Sequence, residues 1–297
     1  MPRARFGKVL TAMVTPFRDD GALDVDGAAA LAQWLVAQGN DGLVVAGTTG
    51  EAPTLSDDEK VELWRAVRAA VDVPLLAGSG SNDTRHTVRL SQRAAETGVD
   101  GLLVVSPYYN RPPQAGIEAH FRAVADAVDL PIVMYDVPSR TARAMTVDTI
   151  VRLADEVPGI AGLKDARGNP AEAARIVDGT PDDFDLYSGD DGLTLSLLAV
   201  GAVGVVGVAT HWSAGLHAEM IAAHDKGDVL RAREINARLG PSFAVETSDT
   251  WVHTSAAKAA LAILGQPAGP VRLPLAPLGD DVRAAVARVL DDLGARP

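Results

Sequence analysis

Eight short apolar runs alternate along the chain with longer segments in which apolar residues recur at helical spacing. Each run stays apolar throughout, which is typical of strands buried on both faces of a parallel sheet. Strands of an antiparallel sandwich would instead alternate apolar and polar positions. The pattern therefore predicts an α/β protein. The predicted strands are residues 9–14, 42–46, 74–78, 101–106, 132–136, 160–164, 184–188 and 203–208.

The segments between the predicted strands carry helix start signals. Ser56 and Glu59, for example, have the spacing of a capping box directly before the apolar positions of a helix. Helical crossovers between parallel strands follow, and eight such units can close into a (β/α)8 TIM barrel. A doubly wound sheet would more often have about five to seven strands and a phosphate loop of the G-x-G-x-x-G type. We therefore expect the barrel.

The end of the chain departs from this alternation. After a helix expected at residues 213–226, further amphipathic segments follow without intervening strands, at residues 228–239, 255–264 and 280–293. Four prolines with interleaved apolar residues mark an irregular connector before the last of them. We expect residues 1–226 to form the barrel, which is the catalytic domain, and residues 227–297 to form a C-terminal helical region.

Composition indicates a large core and narrows the possible partners. Of the 297 residues, 47% are hydrophobic and 22% are charged, which is enough apolar chain to bury a sizeable core. A net charge of −12 opposes binding to a nucleic-acid backbone or an anionic membrane. The most apolar stretch, residues 193–209, is interrupted by glycines and suits a buried helix and strand better than a membrane span. We expect neither nucleic acid nor membrane as a partner.

Cysteine and histidine usage restricts the chemistry further. The chain has no Cys, which excludes disulfides, thiolate metal sites and a cysteine nucleophile. The six histidines show no metal-ligand spacing, and we expect neither a metal nor a cofactor. Residues 1–10 lack the apolar run of a signal peptide. A cytoplasmic location is the expectation.

Lys164 is the most informative polar residue, because it ends an otherwise apolar predicted strand. Barrel enzymes carry their chemistry at the carboxyl ends of the strands, so its amine is expected in a partly desolvated barrel mouth. Burial lowers the pKa of a lysine and releases the neutral amine that attacks a carbonyl carbon, as Schiff-base catalysis requires. A structural lysine paired with a carboxylate such as Asp165 is the alternative from strand position alone.

Other polar residues follow the neighbouring predicted strands. Tyr135 ends the fifth strand, where a phenol can pass protons to and from a reacting carbon, or can simply be a core tyrosine. Thr48 and Thr49 lie in a glycine-flanked turn after the second strand, which suits a small carboxylate or is only a tight turn. Arg140 lies just past Tyr135 and either holds a second carboxylate or is a surface residue.

Together these motifs resemble the dihydrodipicolinate synthase family, within the pyruvate-dependent Schiff-base lyase and synthase superfamily that includes N-acetylneuraminate lyase. The similarity runs nearly end to end. The motifs are Thr-Ala-Met-Val-Thr-Pro-Phe at residues 11–17, Gly-Thr-Thr-Gly-Glu at 47–51, Pro-Tyr-Tyr-Asn-Arg-Pro at 107–112, Tyr-Asp-Val-Pro-Ser-Arg-Thr at 135–141, Gly-Leu-Lys-Asp at 162–165 and Ser-Gly-Asp-Asp at 188–191.

The resemblance implies a lyase of the class I aldolase type. Such an enzyme condenses pyruvate with L-aspartate 4-semialdehyde to give 4-hydroxy-tetrahydrodipicolinate, in lysine and diaminopimelate biosynthesis. Residue by residue, it implies that Lys164 forms the Schiff base with pyruvate and that Tyr135 is the proton donor and acceptor. Thr48 and Tyr109 would complete a proton relay, with Tyr109 reaching in from the neighbouring subunit.

The same resemblance implies the residues that bind substrate. Thr49 would hold the pyruvate carboxylate, and the backbone at Val206 would line the same pocket. Arg140 would bind the carboxylate of aspartate semialdehyde. A tyrosine shared across an interface requires at least a dimer, and the family resemblance favours a homotetramer built as a dimer of dimers.

Two departures from the family pattern qualify this resemblance. In some members, a His and a Glu bind feedback lysine. At those positions this chain has Lys60 or Asp57, and His86, so lysine inhibition is not expected. Residues 246–251 read Glu-Thr-Ser-Asp-Thr-Trp and lack the Asn-Pro-Ile-Pro run of the family. We expect this second change to alter tertiary contacts locally and to leave the barrel mouth untouched.

Two alternative functions remain at this point. The same Schiff base would serve a related aldolase that acts on 2-keto-3-deoxy sugar acids or N-acetylneuraminate. The Tyr-Asn-Arg-Pro motif at 109–112 and Arg140 favour the synthase over that aldolase. The second alternative is a catalytically silent binding or regulatory paralogue, against which the full set of Lys164, Tyr135, Thr48 and Tyr109 argues.

Overall fold

A closed barrel of eight parallel strands forms the centre of the molecule, in the order β1 to β8. The structure, a computed structural model, describes residues 4–246, 248 and 250–296. Every observed strand lies within its predicted range except β6, which continues one residue further to Asp165. The predicted barrel is therefore confirmed. The strands are β1 Val9–Ala12, β2 Gly42–Val45, β3 Leu75–Gly78, β4 Gly101–Val105, β5 Ile132–Asp136, β6 Ile160–Asp165, β7 Asp185–Ser188 and β8 Gly204–Gly207.

The barrel closes where β1 pairs with both β2 and β8. Leu10 is in register with Gly42 on one side and with Val206 on the other. Side chains that point inward form a buried cluster, which fills the barrel interior as in other eight-stranded α/β barrels. Gly204 is required at the start of β8, because a Cβ there would lie 2.0 Å from the carbonyl oxygen of Lys8.

Helices cover the outside of the barrel and bury its outer apolar face. The capping box predicted at Ser56 is present, since its side chain accepts from the Glu59 backbone N–H and the Glu59 carboxylate accepts from the Ser56 N–H. Trp64 of α2 is fully buried and donates its indole N–H to the carbonyl of Val45 at 3.1 Å, which fixes α2 on β2. The helices up to the end of the barrel are α1 Val25–Ala37, α2 Asp57–Ala70, α3 Thr84–Ala95, α4 Gln114–Ala125, α5 Pro138–Thr141, α6 Val147–Glu156, α7 Pro170–Gly179, α8 Thr194–Leu198 and α9 Thr210–Asp225.

Three further helices follow the barrel, as predicted: α10 Val229–Glu246, α11 His253–Ile263 and α12 Asp280–Leu293. They share apolar contacts with the barrel helices, since Ala232 and Ile235 of α10 pack against Met220 of α9. The apolar stretch 193–209 contains α8 and β8, and none of the described helices is long and apolar enough to cross a membrane. The domain boundary at residue 226 stays a prediction.

Some residues named in the sequence analysis lie outside the described part of the chain. Thr247 and Asp249 belong to the segment that departs from the family pattern, and Met1 to Arg3 belong to the N-terminal stretch searched for a signal peptide.

A buried ion-pair network attaches the C-terminal region to the turn after β2. The Lys258 amine lies 2.7 Å from the Glu51 carboxylate and also donates to the carbonyl of Pro270 at 2.6 Å. The Arg272 backbone N–H donates to the other Glu51 oxygen at 2.8 Å, and its guanidinium pairs with Glu59. Burial lowers the pKa of Lys258 to about 8, against the opposing effect of Glu51. The network holds the Gly47 to Glu51 turn at the barrel mouth from outside the barrel.

Candidate active site

Lys164 and Tyr135 are neighbours at the carboxyl ends of two adjacent strands. The register of β5 and β6 places them opposite each other, and the Lys164 side-chain nitrogen lies 4.6 Å from the centre of the Tyr135 ring. Both are buried, with 5% and 6% of their surfaces exposed. The backbone hydrogen bonds of the barrel therefore set the position of an amine against a phenol.

The environment of Lys164 favours its neutral form. Burial lowers the pKa of the amine to about 8; the negative charge of Asp191 opposes this shift, and the positive charge of Arg140 adds to it. The alternative of a structural pair with Asp165 is not what the structure shows, because Asp165 is bound by Arg167 at 2.7 Å. Lys164 thus has the properties of a nucleophilic amine.

Tyr135 keeps its proton and has a hydrogen-bond partner in the predicted turn. Burial raises the pKa of the phenol, while the positive charge of Arg140 and a hydrogen bond with the Thr48 side chain lower it. The turn that carries Thr48 is bounded by left-handed backbone at Ala46 and Glu51. Non-glycine residues in that region are uncommon and concentrate at functional sites. Tyr135 and Thr48 are therefore neighbours at the barrel mouth, and their part in a proton relay stays a prediction.

Thr49 and Val206 are buried near this centre. Thr49 is next to Thr48 in the same turn, and 3% of its surface is exposed. Val206 lies on β8 and belongs to the barrel-interior cluster that includes Tyr135. Their predicted contacts with pyruvate concern a ligand that the structure does not contain, so these two roles stay predictions.

A cavity of about 730 Å³ opens at this end of the barrel. Its walls include Thr48, Tyr108, Tyr109, Tyr135 and Arg140. Cavities of this size with a few convergent polar groups are typical of small-molecule sites. The cavity thus has room for two small acids beside the Tyr135 phenol.

One arm of the cavity extends towards α2 and α3. Asp57 and His86 form a pair at 2.9 Å there, and the Lys60 side chain is buried beside them. By the family resemblance, these are the positions at which the chain is expected to depart from lysine-sensitive members. The expectation that lysine does not inhibit stays a prediction.

Tyr109 is the predicted site residue that the single chain does not bring into the centre. Its side chain is 89% exposed at the outer rim of the cavity, and its backbone is left-handed with φ +71°. The next residue, Asn110, fixes this segment by donating to the carbonyl of Asn82 at 2.9 Å. An exposed aromatic side chain on a constrained loop is available for contact with a second subunit.

Arg140 extends over the cavity from the short helix α5 and is exposed. Its guanidinium donates to the Nδ1 atom of His253 at 3.0 Å. His253 is the first residue of α11, so the C-terminal region does reach the barrel mouth. His253 lies two residues beyond the divergent segment, so the expectation that the change at residues 246–251 leaves the mouth untouched stays a prediction.

Sequence reasoning missed several buried ionisable groups around the centre. Asp191 follows β7 at the start of a 3-10 turn, Asp191–Leu193, and burial raises its pKa against the opposing charge of His217. Burial also raises the pKa of Asp136, next to Tyr135, to about 7. The position of Asp191 in the Ser-Gly-Asp-Asp motif was the sequence feature from which it could have been predicted. In the described residues, no three His, Asp or Glu side chains are grouped to hold a metal.

Comparisons with known proteins cover nearly the whole chain. Residues 5–293 match the model of the dihydrodipicolinate synthetase family. The chain is 52% identical to a 4-hydroxy-tetrahydrodipicolinate synthase of Acidothermus cellulolyticus, over 98% of this chain and 93% of that protein. It is 48% identical to one from Symbiobacterium thermophilum, over 97% of this chain and 98% of that protein. The crystal structure of the Cyanidioschyzon merolae enzyme with lysine bound superposes with a TM-score of 0.96 at 42% identity, covering 99% of this chain and all of that one.

Proposed function

The chain belongs to the dihydrodipicolinate synthetase family, and from this premise we propose how its residues carry out the reaction of a 4-hydroxy-tetrahydrodipicolinate synthase. The enzyme condenses pyruvate with L-aspartate 4-semialdehyde and is a lyase of the class I aldolase type. Its product lies on the route to diaminopimelate and lysine. The observation that carries the site assignment is the buried Lys164 amine beside the Tyr135 phenol.

In the proposed first half-reaction, the neutral Lys164 amine attacks the keto carbon of pyruvate. The carbinolamine that forms loses water, and Tyr135 supplies the proton for the departing hydroxyl group. The Tyr135 phenolate then takes a proton from the methyl carbon of the imine, which gives an enamine. Thr48, hydrogen-bonded to Tyr135, carries protons between the phenol and the cavity. Thr49 and the Val206 backbone are proposed to hold the pyruvate carboxylate and the rest of the keto acid.

In the second half-reaction, the enamine carbon attacks the aldehyde carbon of aspartate semialdehyde, and the Tyr135 phenol protonates the aldehyde oxygen as it becomes a hydroxyl group. Arg140 is proposed to hold the carboxylate of this substrate, which it reaches from the cavity rim. The amino group of the substrate then adds to the imine carbon and displaces the Lys164 nitrogen. This closes the six-membered ring and returns the free amine. Pyruvate is bound covalently, while aspartate semialdehyde is oriented by its charge, so the carboxylate of each substrate has its own binding group.

Assembly is part of the same proposal. Tyr109 is exposed and held on a constrained loop, which supports its donation to the site of a neighbouring subunit. The proposal is a homo-oligomer built as a dimer of dimers. The cytoplasmic location and the division at residue 226 into a catalytic barrel and a C-terminal helical region are also proposed, on the sequence evidence given above.

The experiment that tests the function follows pyruvate. Purified protein is incubated with pyruvate and aspartate semialdehyde, with and without lysine, and the loss of pyruvate is measured. We expect loss that requires the aldehyde. Release of pyruvate from a 2-keto-3-deoxy sugar acid or N-acetylneuraminate, without use of the aldehyde, would instead identify the related aldolase. No turnover in either direction, together with no covalent capture of pyruvate, would identify a silent paralogue.

A further inference from the structure

Arg140 and His253 form a hydrogen bond whose polarity is fixed by chemistry. The guanidinium Nη2 lies 3.0 Å from the imidazole Nδ1, and a guanidinium can only donate. Nδ1 must therefore accept, which requires an imidazole without a proton on that atom. The bond joins α5 of the barrel to the first residue of α11, 113 residues further along the chain.

The surroundings of His253 keep the imidazole neutral. Burial lowers its pKa to about 3, and the nearby charges of Arg140 on α5, Lys164 on β6 and His211 on α9 act in the same direction. His253 also lies at the N-terminal end of α11, where the helix dipole disfavours a positive charge. The acceptor is thus available across the physiological pH range.

A neutral acceptor suits a guanidinium that has to bind a substrate. An exposed arginine on a four-residue helix samples many rotamers, and fixing it on substrate binding costs affinity. A carboxylate in place of the imidazole would also fix Arg140, but it would compete with the substrate for the positive charge. A neutral imidazole fixes one edge of the guanidinium and leaves its charge for the incoming anion.

We propose that His253 is a positioning residue, which holds the Arg140 guanidinium in the orientation that receives the carboxylate of the aldehyde substrate. The inference rests on the proposed function, because it concerns the substrate that Arg140 binds. It also gives the C-terminal region a direct role at the barrel mouth.

Two substitutions test this role in the full chain. His253→Leu removes the acceptor, whereas His253→Asn places an amide oxygen close to the position of Nδ1. Neither introduces a charge beside Lys164. We expect His253→Leu to raise the KM for aspartate semialdehyde about tenfold, as for loss of a hydrogen bond to a charged group, with the KM for pyruvate and kcat little changed. In His253→Asn, the KM for aspartate semialdehyde is expected to stay close to that of the wild type.

A double-mutant comparison separates positioning from general packing. Arg140→Ala is itself expected to raise the KM for the aldehyde, and in that background His253→Leu is expected to have no further effect. Thermal unfolding shows whether each variant folds. If His253→Leu does not fold, His253→Phe, which keeps a planar ring, is used in its place. An unchanged KM for the aldehyde in His253→Leu would overturn the inference. An equal rise of that KM in His253→Leu and His253→Asn would also overturn it.

The failure of this inference differs from failure of the proposed function. If the wild-type protein does not consume pyruvate with the aldehyde, the function itself is wrong. If it does, and His253→Leu raises the KM values for both substrates together or acts equally with and without Arg140, only the positioning role is lost.

Discussion

The side-chain nitrogen of Lys164 lies 4.6 Å from the centre of the Tyr135 ring, on the strand next to it in the barrel. Both residues are held by parallel strand pairing rather than by mobile loops. The proposed nucleophile and the proposed proton-transfer group are thus fixed against each other before substrate binds, which is the preorganisation that catalysis requires.

The rate of Schiff-base formation should depend on pH with a midpoint near 8. Only the neutral amine attacks pyruvate, and the pKa of Lys164 is lowered from 10.5 to about 8 by burial. Below pH 8 the initial rate of cyanoborohydride-trapped adduct formation should rise about tenfold per pH unit, and it should level off above that. A rate that keeps rising to pH 10 would show that Lys164 titrates as an ordinary lysine.

Lys164→Met should abolish turnover and stabilise the fold at neutral pH. The folded pKa of Lys164 lies below the unfolded one, so the unfolded state binds more protons between pH 8 and 10.5, and wild-type stability rises with pH there. The cost of burying the lysine is therefore fully present below pH 8, at most about 3 kcal/mol. It disappears above pH 10.5. The favourable charge interaction with Asp191 is already included in this net cost.

Urea unfolding at several pH values measures this effect. The advantage of Lys164→Met should be largest near pH 7 and should shrink as the pH approaches 10. A variant that is less stable than the wild type at pH 7, or whose advantage does not change with pH, would contradict the proposed cost of burial.

Tyr135→Phe should lower kcat by about two to four orders of magnitude, which is the usual contribution of a positioned proton donor and acceptor. Stability should fall by only about 1 kcal/mol, because a single hydrogen bond to Thr48 is lost. Tyr187→Phe is the matched control. Tyr187 is buried on β7 in register with Lys164, but its hydroxyl faces the Phe6 N–H at 3.4 Å, at the opposite end of the barrel. If steady-state kinetics show that the two variants lose activity equally, Tyr135 is not part of the proton relay.

Subunits that carry different defects should restore each other's activity. Lys164→Ala lacks the nucleophile, and Tyr109→Ala lacks the tyrosine proposed to serve the neighbouring site. In a mixed dimer, the subunit with Lys164 intact receives Tyr109 from its partner. Random mixing in equal amounts should therefore recover about a quarter of the wild-type sites. No recovery after verified subunit exchange would place Tyr109 in the site of its own subunit or outside it.

The strands were predictable because burial on both faces leaves an apolar run with little alternation. Lys164 stood out for the same reason, as a charge at the end of such a run. Local signals failed where tertiary contacts override them. The predicted helix ends at residue 239, yet α10 continues to Glu246 with Pro241 inside it. Ser242 is fully buried there and accepts a hydrogen bond from the Trp212 indole at 2.8 Å, which holds the segment in place.

The contact between Arg140 and His253 could not be predicted from the sequence. The two residues are 113 positions apart and meet only because α11 packs over the barrel mouth. The start of α11 was also hidden, because its N-cap residue, Val252, makes no side-chain hydrogen bond. Roles that depend on bound substrate could not be settled from the sequence: the turn of Thr49 only suited a small carboxylate, and the role of Val206 came from family resemblance alone.

Covalent capture of pyruvate tests the central claim most directly. The protein is treated with pyruvate and borohydride, and intact mass and peptide mapping locate the reduced three-carbon adduct. Lys258 is an internal comparison, because it is also buried with a pKa of about 8 but is paired with Glu51. We predict one adduct per chain, on Lys164, and none in Lys164→Ala. An adduct on Lys258 or another residue, or an unmodified wild-type chain, would contradict the account.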